Sequence, residues 1–256
     1  PLPCAMRNRG CLIAALRKIE EEYDNVMVSD FLGGRMKSEP KPQRSESNQG
    51  RQETVIHEDH IPSRTSNPKF VVVDLEQGTR EWLEWRHNGI GASDASTIMG
   101  ENRFSSAASL LREKRGPIGE PFENEAMALG KRLEPEARKR YIAQTGNEVR
   151  PVCLQSTQYH WLRASLDGLT VNHDAVVEIK CGRSAYWSTA KSRSVPDYYY
   201  GQLQHIMAVT GLDSLDFWCY WPDNPEILLP VQRDDDYIEL LLSKELQFWN
   251  DVQKDA

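Results

Sequence analysis

The chain of 256 residues carries a formal net charge of −7, with 39% hydrophobic and 27% charged side chains. That is the composition of a soluble globular protein with enough chain to bury one substantial core. No run approaches the ~18 apolar residues of a membrane-spanning helix, and the apolar stretch CLIAAL at residues 11–16 is too short for a signal-peptide core. The five cysteines (Cys4, Cys11, Cys153, Cys181, Cys219) lie far apart without CxxC spacing. Such spacing argues against a disulfide framework, a zinc knuckle and a four-cysteine iron–sulfur cluster, and points to a reducing, cytoplasmic compartment.

An acidic balance speaks against nucleic acid as a partner when the charge is evenly spread. Here it is not: residues 223–256 hold nine Asp and Glu against three Lys and Arg, whereas residues 80–150 hold twelve basic against eleven acidic. A local basic surface for DNA is compatible with the whole.

In chain order, residues 1–69 contain one short amphipathic segment at about 12–23 and then a stretch rich in Ser, Pro, Gln and charge. That composition cannot offset its ordering entropy and predicts a disordered or appended N-terminal segment ahead of a domain at 70–256. FVVVDL predicts a strand. TREWLEWRHN predicts a helix capped by Thr79 and ending before Gly89. GIGASDASTIMG predicts a Gly-rich turn opening a short helix near Ser93 or Asp94, and a helix at about 105–115 stops at Gly116. In NEAMALGKRLEPEARKRYIAQTG, Leu129, Leu133, Ala137 and Tyr141 fall four apart on one helical face, and Pro135 predicts a break or kink just after Glu134. Strands are predicted at 149–155, 161–171 and 175–181, and a helix at 197–210 ending at Gly211. LDFWCYW and EILLPV predict two more strands, and the closing helix at 235–251 puts Ile238, Leu241, Leu242, Glu245 and Trp249 on one face. The stretch holding Arg183, Lys191 and Arg193 carries no predicted element. This order implies an α/β (α+β) domain whose central mixed sheet is flanked by helices.

The hairpin SLDGLTVNHDAVVEIKCG holds the sharpest chemical signal. Alternation in AVVEIKC places Val177, Ile179 and Cys181 on one face and Glu178 and Lys180 on the other. A two-residue turn at Asn172-His173, with Asn supplying positive φ, sets Asp167 directly across from Glu178. Facing like charges destabilise a sheet by roughly 0.2–1 kcal/mol, more when partly buried. Lys180 alone offsets them in a structural salt-bridged cluster. A divalent cation offsets them better, because two carboxylates and a backbone carbonyl form the oxygen shell that Mg²⁺ prefers. Lys180 then has the task of positioning or deprotonating the water that attacks a phosphodiester.

Asp-x10-Glu-x-Lys on such a hairpin resembles the PD-(D/E)xK restriction-endonuclease-like core. RHNGIGASD, GKRLEPEA, SLDG, EIKCG and YYGQLQHIMAVTG follow in the order and approximate spacing of phage lambda-type exonucleases, the YqaJ-like viral recombinase family, over about residues 78–250. By that resemblance Asp167, Glu178 and the carbonyl of Ile179 are metal ligands and Lys180 is the catalytic lysine. Glu134 is the helix-borne acid that reaches the same site, and Gln202 supports it, its amide able to reach Lys180 or a phosphate oxygen. Arg86 and Ser93 match the family's handlers of a terminal phosphate: Gly89 and Gly91 permit a tight backbone, Ser93 stands at a helix N-terminus, and Arg86 can fork onto phosphate oxygens.

The resemblance implies a Mg²⁺-dependent (Mn²⁺ substituting, two ions) 5′-to-3′ exodeoxyribonuclease that acts on linear double-stranded DNA ends and leaves 3′ single strands for recombination by annealing. It also implies a trimeric homo-oligomer and a single-strand annealing protein as partner. The acidic last helix is a candidate face for either contact. Two rivals share the residues: a RecB-like or restriction-type endonuclease on the same core, and a non-catalytic DNA-end-binding protein. The ordinary readings of single residues stand beside these roles: a surface Glu134–Arg138 pair, a plain polar Gln202, an N-cap Ser93. His160 and His205 are weaker candidates for the site. Arg183, Lys191 and Arg193 are candidates for the DNA backbone, with a solvated loop an equal reading, and Tyr198 to Tyr200 for base stacking, with helix packing the better reading for the tyrosines.

Overall fold

The computed structural model describes residues 69–119 and 124–254. The expected appended segment, save Lys69, lies outside the described residues. The elements in chain order are β1 (Phe70–Val73), α1 (Arg80–His87), β2 (Ile90–Gly91), α2 (Ala92–Ile98), α3 (Ala107–Arg115), α4 (Glu125–Thr145), β3 (Val149–Ser156), β4 (Leu162–Thr170), β5 (Val176–Lys180), α5 (Arg183–Ser192), α6 (Asp197–Thr210), β6 (Ser214–Cys219), β7 (Ile227–Gln232) and α7 (Asp235–Gln253). The sheet runs β1-β3-β4-β5-β6-β7, with the short β2 added alongside β4. Only β2–β4 and β5–β6 are parallel, so the sheet is mixed as expected.

Each face of the sheet is covered. Leu203, Ile206 and Met207 of α6 and Ile238, Phe248 and Val252 of α7 pack with Leu154, Leu162, Leu166 and Phe217 into the larger core. Ala137 and Tyr141 of α4 pack with Val149, Val177, Ile179, Cys181 and Trp218 into a smaller one. The apolar face of α7 is thus consumed by the core. Its Asp235, Asp236 and Glu239 are exposed.

Several local expectations hold. Thr79 caps α1, its side chain accepting from the amide of Trp82, and α6 ends at Gly211 in the left-handed region at φ 73. Four differ. First, α4 passes through Pro135 without a break. Proline removes one bond from the ladder, but Asn124 caps the start, and burial of Ala137 and Tyr141 holds the downstream half. Second, α2 opens at Ala92 with Gly91 as its cap, ahead of Ser93. Third, the hairpin turn is longer than two residues: Thr170 hydrogen-bonds Ala175 and His173 through the backbone, and the positive φ of 61° falls on His173, not Asn172. The register survives, because Gly168 pairs with Val177 and Leu169 with Val176, which sets Asp167 opposite Glu178. Fourth, residues 183–192 form α5, held by buried Ala185, Tyr186 and Thr189, with Tyr186 Oη donating to the carbonyl of Pro225 at 2.7 Å. Its cap is Gly182, without a side-chain bond, so the usual start signal is missing from the sequence.

Cys153, Cys181 and Cys219 are buried and unbridged, and burial pushes the thiols of Cys181 and Cys219 up to about 12 and about 11. His205 is fully buried, and both its ring nitrogens face oxygen: Nδ1 lies 2.7 Å from Glu245 Oε1 and Nε2 2.8 Å from the carbonyl of Arg163. Burial opposes its charge, but Glu245 and that carbonyl outweigh it and hold its pKa above the ordinary value. The pair therefore keeps a proton that the unfolded chain releases near pH 6.5. Its contribution is full below about pH 6.5 and is lost as pH rises through the raised folded value, at up to about 1.4 kcal/mol per pH unit. Urea unfolding between pH 6 and 9 reads that slope, and His205→Gln is expected to flatten it.

Candidate active site

The order of pairing along β4 makes the cleft. β2 pairs with β4 at Leu162 and Arg163, and β5 pairs with the same edge at Gly168 and Leu169. Between these two contacts the edge of β4 carries Ser165 and Asp167, and both line a cleft of about 630 Å³. A bulge aims Asp167. Two steps of β3, Arg150 to Val152, match three of β4, Leu166 to Leu169, a device that re-aims a side chain. Gly168 is required beside it, since a Cβ there would stand 2.6 Å from Val177 Cγ1 and 2.8 Å from Val149 Cγ2.

Beyond Gly168 the side chain of Asp167 takes over from the ladder: its Oδ2 accepts from the amide of Ile179 at 2.8 Å. Arg138 of α4 donates through Nε to the carbonyl of Asp167 at 2.7 Å, and its Nη2 meets Glu134. Glu178 is 3% exposed at its side chain, and its Oε1 accepts from Lys180 Nζ at 2.5 Å and Gln202 Nε2 at 2.6 Å. The Lys180 ammonium also lies 4.8 Å from the centre of the Tyr199 ring.

The charges are frustrated. Burial and the facing Glu178 carboxylate push Asp167 well above the usual carboxylate range, against the pull of Lys180. Burial disfavours the Lys180 ammonium, but Glu178 and Asp167 together overcome it and raise its pKa above the ordinary lysine value. One ammonium thus serves two clustered carboxylates, with Glu134 adding to the negative field at Asp167. Among the described residues no three His, Cys, Asp or Glu side chains converge closely enough to cage a metal by themselves. Mg²⁺ does not require such a cage; it commonly takes one or two carboxylates and completes its shell with water and phosphate oxygens. Asp167, Glu178 and the Ile179 carbonyl have the hard oxygen chemistry for that role, and the excess negative charge favours a cation.

At the other end of the cleft, Arg86 Nη2 donates to Ser93 Oγ at 2.7 Å, with its guanidinium 4.7 Å from the Trp82 ring centre. Gly89 has to be glycine, because a Cβ would meet Arg163 Cδ at 2.6 Å and the carbonyl of Trp161 at 2.8 Å. At Gly91 a Cβ would come only to 3.6 Å from Arg86 Nε, so its bareness leaves room in front of the guanidinium. Beneath this turn sits a strut that sequence reasoning missed. Buried Lys114 of α3 donates to Asp94 at 2.9 Å, to the carbonyl of Arg86 at 3.0 Å and to that of Gly89 at 2.8 Å. Burial works against the Asp94 carboxylate, but Lys114, Arg86 and the amide of Gly91 outweigh it and hold its pKa below the usual value.

All eight site residues expected from the sequence, Arg86, Ser93, Glu134, Asp167, Glu178, Ile179, Lys180 and Gln202, line this one cleft. A family model described as the YqaJ-like viral recombinase domain matches residues 81–213, a little over half of the chain, and the match contains all eight. The chain belongs to this family. Its fold is similar to that of an alkaline exonuclease from Laribacter hongkongensis, with a TM-score of 0.62 at 28% identity, covering 69% of this chain and 94% of that one. A second structure of that exonuclease, in complex with dAMP, matches equally well. The uncharacterized protein YqaJ of Bacillus subtilis is 30% identical over 182 residues, 69% of this chain. The chain spans 57% of that relative's length.

The histidine and α5 candidates fall outside the cleft of this YqaJ-like domain. His205 is sealed in the core against Glu245, and His160 is exposed on the turn before β4. Arg183 and Lys191 lie on α5 and Arg193 is its left-handed C-cap, all exposed and none lining the cleft. Of the three tyrosines, Tyr199 lines the cleft beneath Lys180, while Tyr200 Oη donates to Asp234 at 2.9 Å in helix packing. Trp82 and Trp85 of α1 also line the cleft; the sequence offers no signal that sets them there. Gln204 is buried, donating to the carbonyl of Gln232 at 3.0 Å.

Proposed function

We propose that the protein is a Mg²⁺-dependent exodeoxyribonuclease that degrades linear double-stranded DNA from 5′ ends and leaves 3′ single strands for recombination by annealing, as a homo-oligomer working with a single-strand annealing protein. The observation that carries this reading is the meeting, in one cleft, of the Asp167–Glu178–Lys180 cluster with the Arg86–Ser93 pair. One group suits phosphodiester hydrolysis and the other suits a terminal phosphate. The similarity to the Laribacter exonuclease over most of its length supports the same class.

The roles follow from chemistry. Bound Mg²⁺ would supply a Lewis acid for the phosphodiester and lower the pKa of the attacking water. Asp167 and Glu178, with the Ile179 carbonyl, would hold it. Gln202 and Lys180 fix the Glu178 carboxylate by two short hydrogen bonds. The surroundings favour Lys180 as an ammonium, so its part is to orient water and stabilise charge as it develops on the phosphate oxygens. Glu134, steered by Arg138, reaches the same cleft from α4. Arg86 offers a forked donor to a 5′-phosphate, with Ser93 beside it.

The test is a linear duplex carrying a 5′-phosphate at one end and a 5′-hydroxyl at the other. Nucleotides are expected from the phosphorylated 5′ strand first. Losing a charge-assisted hydrogen bond in Arg86→Ala is expected to reduce that preference about 10- to 100-fold. Degradation from 3′ ends, or equal use of both ends by the unsubstituted protein, would overturn the polarity.

A further inference from the structure

The loop between α2 and α3 holds an aromatic ring out of the core. Phe104 is 77% exposed and lines the cleft. Its loop is firmly built: the carbonyl of Ser96 accepts from the amides of Glu101 and Asn102, Asn102 Nδ2 donates to Thr97 Oγ1 at 2.9 Å, and Asn102 Oδ1 accepts from the amide of Phe104 at 2.9 Å. Tyr237 of α7 clamps it from behind, donating to Glu101 at 2.7 Å. A loop so pinned presents Phe104 as a fixed surface.

The ring is also the outer end of a stack. The Arg103 guanidinium lies 4.7 Å from the Phe104 centroid and 5.1 Å from that of Tyr198. Tyr198 and Tyr199 are 4.4 Å apart, and Lys180 Nζ lies 4.8 Å from Tyr199. Ring, cation, ring, ring and cation thus run without interruption from the cleft mouth to the lysine of the reactive cluster. A ligand seated on Phe104 extends that stack and is held at a defined remove from Lys180.

We propose that Phe104 is a stacking platform for a nucleobase freed from pairing at the DNA end. The proposal rests on the nuclease reading and deepens it. Size selects the ligand. An aromatic side chain buries roughly 150–250 Å², far below the ~800 Å² per partner of a specific protein interface, but matched to one flat base. Stacking on the Phe104 ring needs only the π face that every base has, so it accepts any base, as an enzyme that proceeds along arbitrary sequence requires.

The experiment uses a partial duplex with 2-aminopurine at its frayed end, in calcium buffer, and reads binding and fluorescence quenching for the protein, Phe104→Ala and Phe104→Trp. Phe104→Ala is expected to weaken binding about 5- to 100-fold, the range for one stacked base, and to abolish the quenching, with Phe104→Trp restoring both. Hydrolysis of the base-free diester bis(p-nitrophenyl) phosphate in magnesium is expected to be equal in all three. Unchanged binding and quenching in Phe104→Ala overturns the platform. Equal loss of base-free hydrolysis overturns it too, by making Phe104 structural. If the unsubstituted protein neither binds the duplex nor cuts DNA, the nuclease reading itself fails and the platform falls with it.

Discussion

Replacing Glu178 with glutamine is expected to lower magnesium-dependent cleavage of linear duplex by about 10³-fold, since a carboxylate that holds a charge-stabilising metal contributes several kcal/mol to the barrier. The substitution keeps the size and shape of a side chain that is only 3% exposed. It removes one of the two facing carboxylates, so it relieves the charge that drives Asp167 upward. The fold is therefore expected to tolerate it, with an unfolding midpoint close to that of the parent. Initial rates together with a thermal melt separate the outcomes. Retained activity at a tenth or more of the parent would remove Glu178 from the machinery. A collapse of the melting temperature would make its role structural.

Lys114→Met is expected to cost about 3–5 kcal/mol, the range for breaking a buried ion pair by removing one partner. Lys114 spends its three N–H groups on Asp94 and two carbonyls of the Arg86–Gly91 turn, with its side chain 4% exposed. Its loss strands a buried carboxylate and two acceptors. For a domain of this size the melting temperature should fall by roughly 10 °C. Asp94 sets the pH dependence. Its folded pKa lies below the unfolded one, so the parent gains stability above pH ~4 that is lost as pH falls through the folded value. In Lys114→Met that gain disappears, and Asp94→Asn added to it should recover part of the loss. The preference for phosphorylated 5′ ends should weaken in the single variant, because the carbonyl of Arg86 loses its support. Melts at pH 4 and pH 7 check the first claim and the two-ended duplex checks the second.

Much of this was legible in the residues for definable reasons. Hairpin register follows from the turn and the pleat, so the facing of Asp167 and Glu178 could be read even though the turn proved longer and the positive φ fell on His173. The helices with side-chain caps, α1 at Thr79 and α3 at Ser106, have a local signal. By contrast α5, capped by Gly182, has none and exists through tertiary packing of Tyr186 and Thr189. Pro135 misleads for the same reason: propensity is local, but burial of Ala137 and Tyr141 decides. The supports that long-range geometry places behind the cleft were not legible at all. Lys114 stands in an ordinary basic run, and nothing in its neighbours foretells that it lies under Arg86, 28 residues earlier. The bulge that aims Asp167 depends on β3, and two histidines that resemble ligands on paper are a core pair and a surface turn.

On the proposed reading this cleft hydrolyses DNA and needs an end to do so. The most direct measurement incubates the protein with equal amounts of linear duplex and covalently closed circle, in magnesium and in EDTA, and follows release of nucleotides and nicking of the circle. Release is expected from the linear molecule in magnesium alone, with the circle untouched. Nicking of the circle at a comparable rate would contradict it in favour of an endonuclease on the same core, and hydrolysis of neither with any divalent cation would leave a DNA-end-binding protein.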